Sequence, residues 1–118
     1  MSPTWRVYAE HILDTIEKIR RIQQRGDVTQ DEVLYDASLR NLQTLSEATQ
    51  QLPADLKHGY PAIPWKQISG FRNILVHNYL GEIDALTVIA VVRQHLPPLE
   101  EAVKDMLASS GRDEPAPR

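Results

Sequence analysis

The sequence predicts an all-α protein: an antiparallel bundle of about four main helices with short accessory ones. Three observations predict it. Apolar residues recur three and four apart through most of the chain. No stretch alternates apolar and polar residues in the manner of a half-buried strand; the cluster Val88, Val91 and Val92 sits between a capping residue and a helical continuation. Glycine and proline fall between the periodic stretches.

The first helix is expected over about 4–24, with Tyr8, Ile12, Ile16, Ile19 and Ile22 on one stripe and Gly26-Asp27 ending it. Thr29 with Glu32 reads as a capping box that opens the second helix, whose stripe is Tyr35, Leu39, Leu42, Leu45 and Leu52. Two long helices joined by a short turn predict an antiparallel hairpin. Pro53 stops the second helix and begins one short turn through Lys57. Residues 58–64, His-Gly-Tyr-Pro-Ala-Ile-Pro, are expected to be a stiff loop, with Pro64 at the first position of the next helix, where a missing amide hydrogen costs nothing. Ile68, Phe71 and Leu75 give that helix an apolar face, and Gly81 ends it. Asp84 caps a further helix carrying Leu86, Ile89, Val92 and Leu96. Pro97-Pro98 then breaks or kinks the chain before a last short helix with Leu99, Val103, Met106 and Leu107. The organisation expected is one helical domain over 1–108 and a polar, proline-containing, disordered tail over 109–118.

The chain has 118 residues, 42% of them hydrophobic and 25% charged, and no cysteine. This excludes a disulfide scaffold, a thiol nucleophile and a cysteine-ligated metal site. No run of about 18 apolar residues predicts a membrane span, and residues 1–6 lead into an amphipathic pattern instead of an apolar leader. A cytoplasmic location is the expectation. The net charge of −3 argues against a broad nucleic-acid-gripping face, so RNA would have to be handled at a local site.

The segment that carries chemistry is Phe71-Arg72-Asn73-Ile74-Leu75-Val76-His77-Asn78-Tyr79. On an ideal helix Arg72 and Tyr79 share a face two turns apart, whereas His77 lies ~140° round from Arg72. The two are therefore brought together either by a loosened helix near His77 or by two copies of the motif facing each other across a twofold axis. An imidazole titrating near neutrality can take the proton of a ribose 2′-hydroxyl. A guanidinium can hold the phosphate and stabilise the charge that develops on it. Such a reaction requires no metal or cofactor. Spacing alone does not distinguish this pair from a surface arginine and a hydrogen-bonded histidine at a helix end.

In its wider context the sequence resembles the HepT-like toxin family, within the HEPN superfamily of helical nucleases. The resemblance spans about 36–106. It rests on Ser46-Glu47-Ala48, Pro61-Ala62-Ile63-Pro64-Trp65, the run Arg72 to Tyr79, Asp84 and Leu96-Pro97-Pro98-Leu99, in that order. It implies a HEPN-like homodimeric helical fold and an endoribonuclease with Arg72 and His77 as the catalytic pair. It also implies a type II toxin–antitoxin system that cleaves messenger or transfer RNA. The partner implied is a minimal nucleotidyltransferase antitoxin that transfers AMP onto Tyr79. The resemblance departs in two places. Asn78 stands where the family commonly has Asp, which alters the surroundings of His77 without removing a catalytic group. Ser46 stands for the usual Gly, which is expected to change local packing only.

Asn73 and Asn78 are expected to support the pair, together with Glu47, which either orients the arginine or histidine across the bundle or is a buried structural acceptor or simply exposed. His11, His58 and His95 lack partners at metal-ligand spacing and read as surface or capping residues. Trp65 reads as a loop anchor, with base stacking as the alternative. Lys18, Arg20, Arg21 and Arg25 form a basic cluster that a helix dipole accounts for most simply, phosphate binding at a cleft rim being the alternative. A second class of function stays open beside the enzyme: a non-catalytic helical dimer that docks a nucleotidyltransferase and helps form a nucleotide or substrate site.

Overall fold

A computed structural model describes residues 4–77 and 85–113, with side chains over 5–71 and 85–109. The order of elements is α1 (Thr4–Arg25), α2 (Glu32–Gln50), α3 (Ala54–His58), α4 (Trp65–His77) and α5 (Ala85–Asp113). All secondary structure among the described residues is helical. None of these helices is long and apolar enough to cross a membrane.

The hairpin of α1 and α2 is the centre of the packing, with α4 against α2 and α5 against α1. Ile12, Ile16, Ile19 and Leu45 are fully buried, as their helical spacing requires, and they join Leu42, Ile68, Leu96, Leu99, Val103 and Met106 in one core cluster. Each such side chain contributes roughly 1.5–3 kcal/mol by leaving water. Four polar side chains are buried among them, Thr15, Ser38, Ser46 and Thr49. Thr15 and Ser38 donate to the carbonyls four residues back, His11 and Leu34, and Thr49 donates to that of Ser46. Bonds of this kind remove the cost of burying a hydroxyl.

Helix boundaries depart from the sequence expectations in three places, each for a local reason. The cap of α2 is Asp31 and not Thr29. Asp31 has extended backbone angles, and its carboxylate accepts from the amides of Val33 at 2.9 Å and Leu34 at 3.2 Å. Thr29 is taken by Asp27, whose carboxylate accepts from both its amide and its hydroxyl. These two bonds hold the Asp27 carboxyl below its ordinary value. Pro64 stands one position before α4, and its carbonyl accepts from the amide of Ile68 at 3.0 Å.

The largest departure is α5, which runs unbroken through Pro97 and Pro98. Two prolines remove the amide bonds that the carbonyls of Arg93 and Gln94 would otherwise receive. Both prolines, and Arg93 and Gln94, are exposed, so water reaches the freed carbonyls. The buried stripe passes on the other side as Val88, Val92, Leu96, Leu99, Val103 and Met106. In its first half Val92 and Leu96 are buried as expected, with one difference at the start. Val88 is core, whereas Leu86, expected on the apolar face, is 66% exposed. The helix extends through Asp113, into the segment read as a tail.

Arg20 leaves the basic cluster to tie α1 to α5. Its Nη1 donates to Glu100 Oε2 at 2.7 Å and its Nη2 to Oε1, a bidentate pair. Glu17 and Lys104 stand at the edges of this pair. Arg20 holds the Glu100 carboxyl below the usual glutamate range. A lowered carboxyl stabilises the fold above its unfolded-state pKa, and that contribution disappears as the pH falls through the folded value. Because Arg20 is 39% exposed, solvent limits the pair to about 1 kcal/mol. Glu100→Gln should lower the urea midpoint at pH 7 correspondingly. The gap between variant and parent should narrow as the pH falls below the ordinary glutamate range and close once it has passed through the lowered folded value, where both chains carry a neutral group. An equal gap throughout would show that the pair contributes no charge-dependent stability.

Candidate functional site

The residues expected to act together lie on and around α4. Arg72, Asn73 and His77 all fall within α4, which is helical through His77. The loosening of the helix at His77 that would bring the pair together within one chain is therefore not needed to describe the backbone up to that residue. On the regular helix the positions 72 and 77 are ~140° apart. Asn78 and Tyr79 lie outside the described residues, as does Asp84.

What holds α4 in place is a polar seam with α2. The carbonyl of Ser69 accepts from the hydroxyl of Ser46 at 2.9 Å and from the amide of Gln50 at 3.1 Å. Thr49 Oγ1 stands 3.4 Å from Ser69 Oγ. Ser46 is fully buried, so its hydroxyl contributes an inter-helix bond where only a change of packing was expected. This seam ends three residues before Arg72. Ser69 already meets the last turn of α2, so the rest of α4 can pack on α2 only by running back towards its start. Hence α4 is antiparallel to α2 and runs from the last turn of α2 towards the end of the bundle where α1 finishes.

Glu47, next to Ser46, is exposed on α2 and engaged in an interaction. Of the structural alternatives for Glu47, the buried acceptor does not hold and the exposed residue does. On the core side of α4, the ring of Phe71 meets that of His95 from α5, with centroids 5.8 Å apart and planes tilted by 56°. His95 is thus a half-buried aromatic contact beside the turn that carries Arg72, and not a surface or capping histidine. No sequence signal marks this pair, since the two residues meet only through the tertiary fold. His11 and His58 are exposed, and His58 closes the short α3.

Trp65 anchors the start of α4. Its indole Nε1 donates to the carbonyls of Lys57 and Tyr60, both at 3.1 Å. Lys57 Nζ lies 5.9 Å from the centroid of the indole, and burial lowers the pKa of its ammonium. Tyr60 in turn donates its hydroxyl to Asp105 on α5 at 2.5 Å. Loop 59–64 is therefore pinned from both sides. Among the described residues, no three His, Asp or Glu side chains gather where they could hold one metal ion.

Comparison with known proteins places these features in context. A family profile described as ribonuclease HepT-like matches residues 10–106, from the first turns of α1 to the second half of α5. A candidate RNase of Caldanaerobacter subterraneus is 34% identical over 108 residues, covering 88% of this chain and 95% of its own. A candidate RNase of Methanocaldococcus jannaschii is 35% identical over 117 residues, covering 92% of this chain and 93% of its own. A probable ribonuclease HepT of Thermococcus cleftensis is 29% identical over 103 residues, covering 85% and 93%. No solved structure matches.

Proposed function

Because the chain belongs to the HepT-like ribonuclease family, we propose that it is a metal-independent endoribonuclease toxin acting as a homodimer, with Arg72 and His77 as its catalytic pair. The observation that carries this reading is that both residues stand on one regular helix, α4, yet ~140° apart. A second α4 facing the first across a twofold axis supplies an arginine and a histidine to one cleft.

Gly70 supports the same arrangement. Glycine inside a helix costs about 1 kcal/mol relative to alanine. A Cβ at Gly70 would have no heavy atom of the described residues within 4 Å, so their packing does not call for glycine there. Close approach of another backbone would. Positions 70 and 77 are seven residues apart and share a face of α4 to within ~20°, whereas position 72 lies ~160° from 70, so a contact at Gly70 is on the His77 side and Arg72 reaches the cleft from its rim.

In the reaction, the ribose 2′-oxygen attacks the adjacent phosphorus and His77 accepts the 2′-proton. Arg72 holds the non-bridging oxygens as negative charge builds on them. The bond from phosphorus to the 5′-oxygen breaks, and the partner's His77 returns a proton to that oxygen. The products are a 2′,3′-cyclic phosphate, or a 3′-phosphate after hydrolysis, and a 5′-hydroxyl. Asn73 sits next to Arg72 and Asn78 next to His77, where both support the pair. Incubating the purified protein with RNA in EDTA tests this: cleavage should persist and leave those end groups. Products with a 5′-phosphate and 3′-hydroxyl would rule the chemistry out.

The physiological setting we propose is a cytoplasmic toxin–antitoxin pair acting on messenger or transfer RNA. A minimal nucleotidyltransferase silences the enzyme by placing AMP on Tyr79. Each adenylate adds a phosphodiester charge and bulk beside a cleft that must admit an RNA phosphate. Coexpression with such a partner should raise the intact mass by whole AMP units, and Tyr79→Phe should remain unmodified. A Tyr79→Phe protein that takes up the same mass would move the site elsewhere.

A further inference from the structure

The basic cluster of α1 separates in the fold into two parts with different fates. Arg20 is consumed by Glu100. Lys18, Arg21 and Arg25 are exposed and meet no carboxylate among the described residues. Their spacing of three and four residues puts them on one stripe of the helix, facing away from Ile12, Ile16 and Ile19. The stripe covers ~10 Å of axis, about the rise of three stacked nucleotides.

The helix dipole accounts for only part of it. The dipole acts within the last turn, and Arg25 is the basic residue of that turn. Lys18 and Arg21 lie further back. The same outward face carries Glu10 and Asp14 earlier and Glu17, which stands 3.9 Å from Arg20, beside the row, so the excess of positive charge lies in the C-terminal half of α1. In a chain of net charge −3, three uncompensated cations in one row are a local concentration of the opposite sign.

Topology supplies the second, independent observation. Both α1 and α4 are antiparallel to α2, so the Arg72–His77 segment leads along α2 towards the end of the bundle where this row lies. We propose that Lys18, Arg21 and Arg25 form a phosphate-binding track that holds the backbone of single-stranded RNA on its approach to the cleft. The proposal rests on the RNA-cleaving reading for its ligand but not for its geometry. Contacts of this kind position RNA without reading its sequence.

The test uses fluorescein-labelled oligouridylate of twenty nucleotides, bound to full-length His77→Ala protein so that the probe survives. Fluorescence anisotropy is followed from 50 to 200 mM KCl. Replacing all three stripe residues by Gln should weaken binding about tenfold or more at 100 mM. It should also reduce the slope of log K against log salt by about 2, at roughly 0.7 per lost phosphate contact on a single strand. A control with Arg93→Gln and Lys104→Gln should bind as the parent does. Unchanged affinity and slope in the triple variant overturn the proposal. So does a triple variant that binds RNA normally but loses its complex with a nucleotidyltransferase, which would give the row to a protein partner. The two readings fail separately. Stripe-dependent binding by a parent chain that never cuts RNA sinks the nuclease and leaves the track. Cleavage in EDTA with stripe-independent binding does the reverse.

Discussion

His77→Ala should lower the rate of RNA cleavage in EDTA by at least ~100-fold while leaving the fold intact. Positioned general bases contribute roughly 10²–10⁴-fold. The chain offers few substitutes for this one. His11 and His58 are exposed on α1 and α3, and His95 is engaged with Phe71 on the core side of α4. His77 is also the last residue of α4, where a truncated side chain leaves the helix bonds in place. The melting temperature should therefore change little, which separates lost chemistry from lost structure. Arg72→Lys gives the companion result. Lysine keeps the charge but not the planar fork, so cleavage should fall at least tenfold with RNA still bound. A clean His77→Ala preparation that cuts RNA at a tenth of the parent rate or faster would remove this residue from the mechanism.

The parts of this fold that were legible in the sequence are those fixed by local periodicity. Ile12, Ile16 and Ile19 repeat at four and three residues, and nothing between them competes, so the buried face of α1 follows directly. The same reasoning finds Val92, Leu96, Leu99, Val103 and Met106 on the buried stripe of α5 but misplaces Leu86, and it expects a break where the helix runs on. A proline pair normally signals such a break. Yet Pro97 and Pro98 fall on the wet side of a helix whose core side continues from Leu96 to Leu99. Whether a helix survives proline depends on what faces the freed carbonyls, which is a tertiary fact. Capping failed for a related reason. Thr29 and Asp31 both suit a cap, and Asp27 decides between them by occupying Thr29. At the candidate site, the local sequence pointed to the residues but not to their setting. The bond from Ser46 to Ser69 and the ring contact of Phe71 with His95 join residues more than twenty apart in the chain. Periodicity carries no information about such pairs.

Mixing two inactive chains should restore activity, and this is the more searching expectation. If Arg72 and His77 act across a twofold axis, an Arg72→Ala homodimer has two histidines and no arginine in its cleft, and a His77→Ala homodimer has the converse. Coexpressed from two differently tagged genes and purified through both tags, the heterodimer keeps one of each. Its cleavage rate should exceed that of either parent at least tenfold, while falling short of the unaltered dimer, which has two histidines to accept and return protons. A pair acting within a single chain predicts the opposite, because both chains of the heterodimer are then broken and mixing gains nothing. The regular course of α4 favours the first outcome, since ~140° of helix stands between the two positions. The space at Gly70 is compatible with it, since among the described residues no heavy atom lies within 4 Å of a Cβ placed there. Gly70→Arg would place a long charged side chain in that space. It should leave the chain folded, turn the dimer into a monomer by light scattering, and abolish complementation together with cleavage. A Gly70→Arg protein that remains dimeric and active would mean that the two copies meet elsewhere.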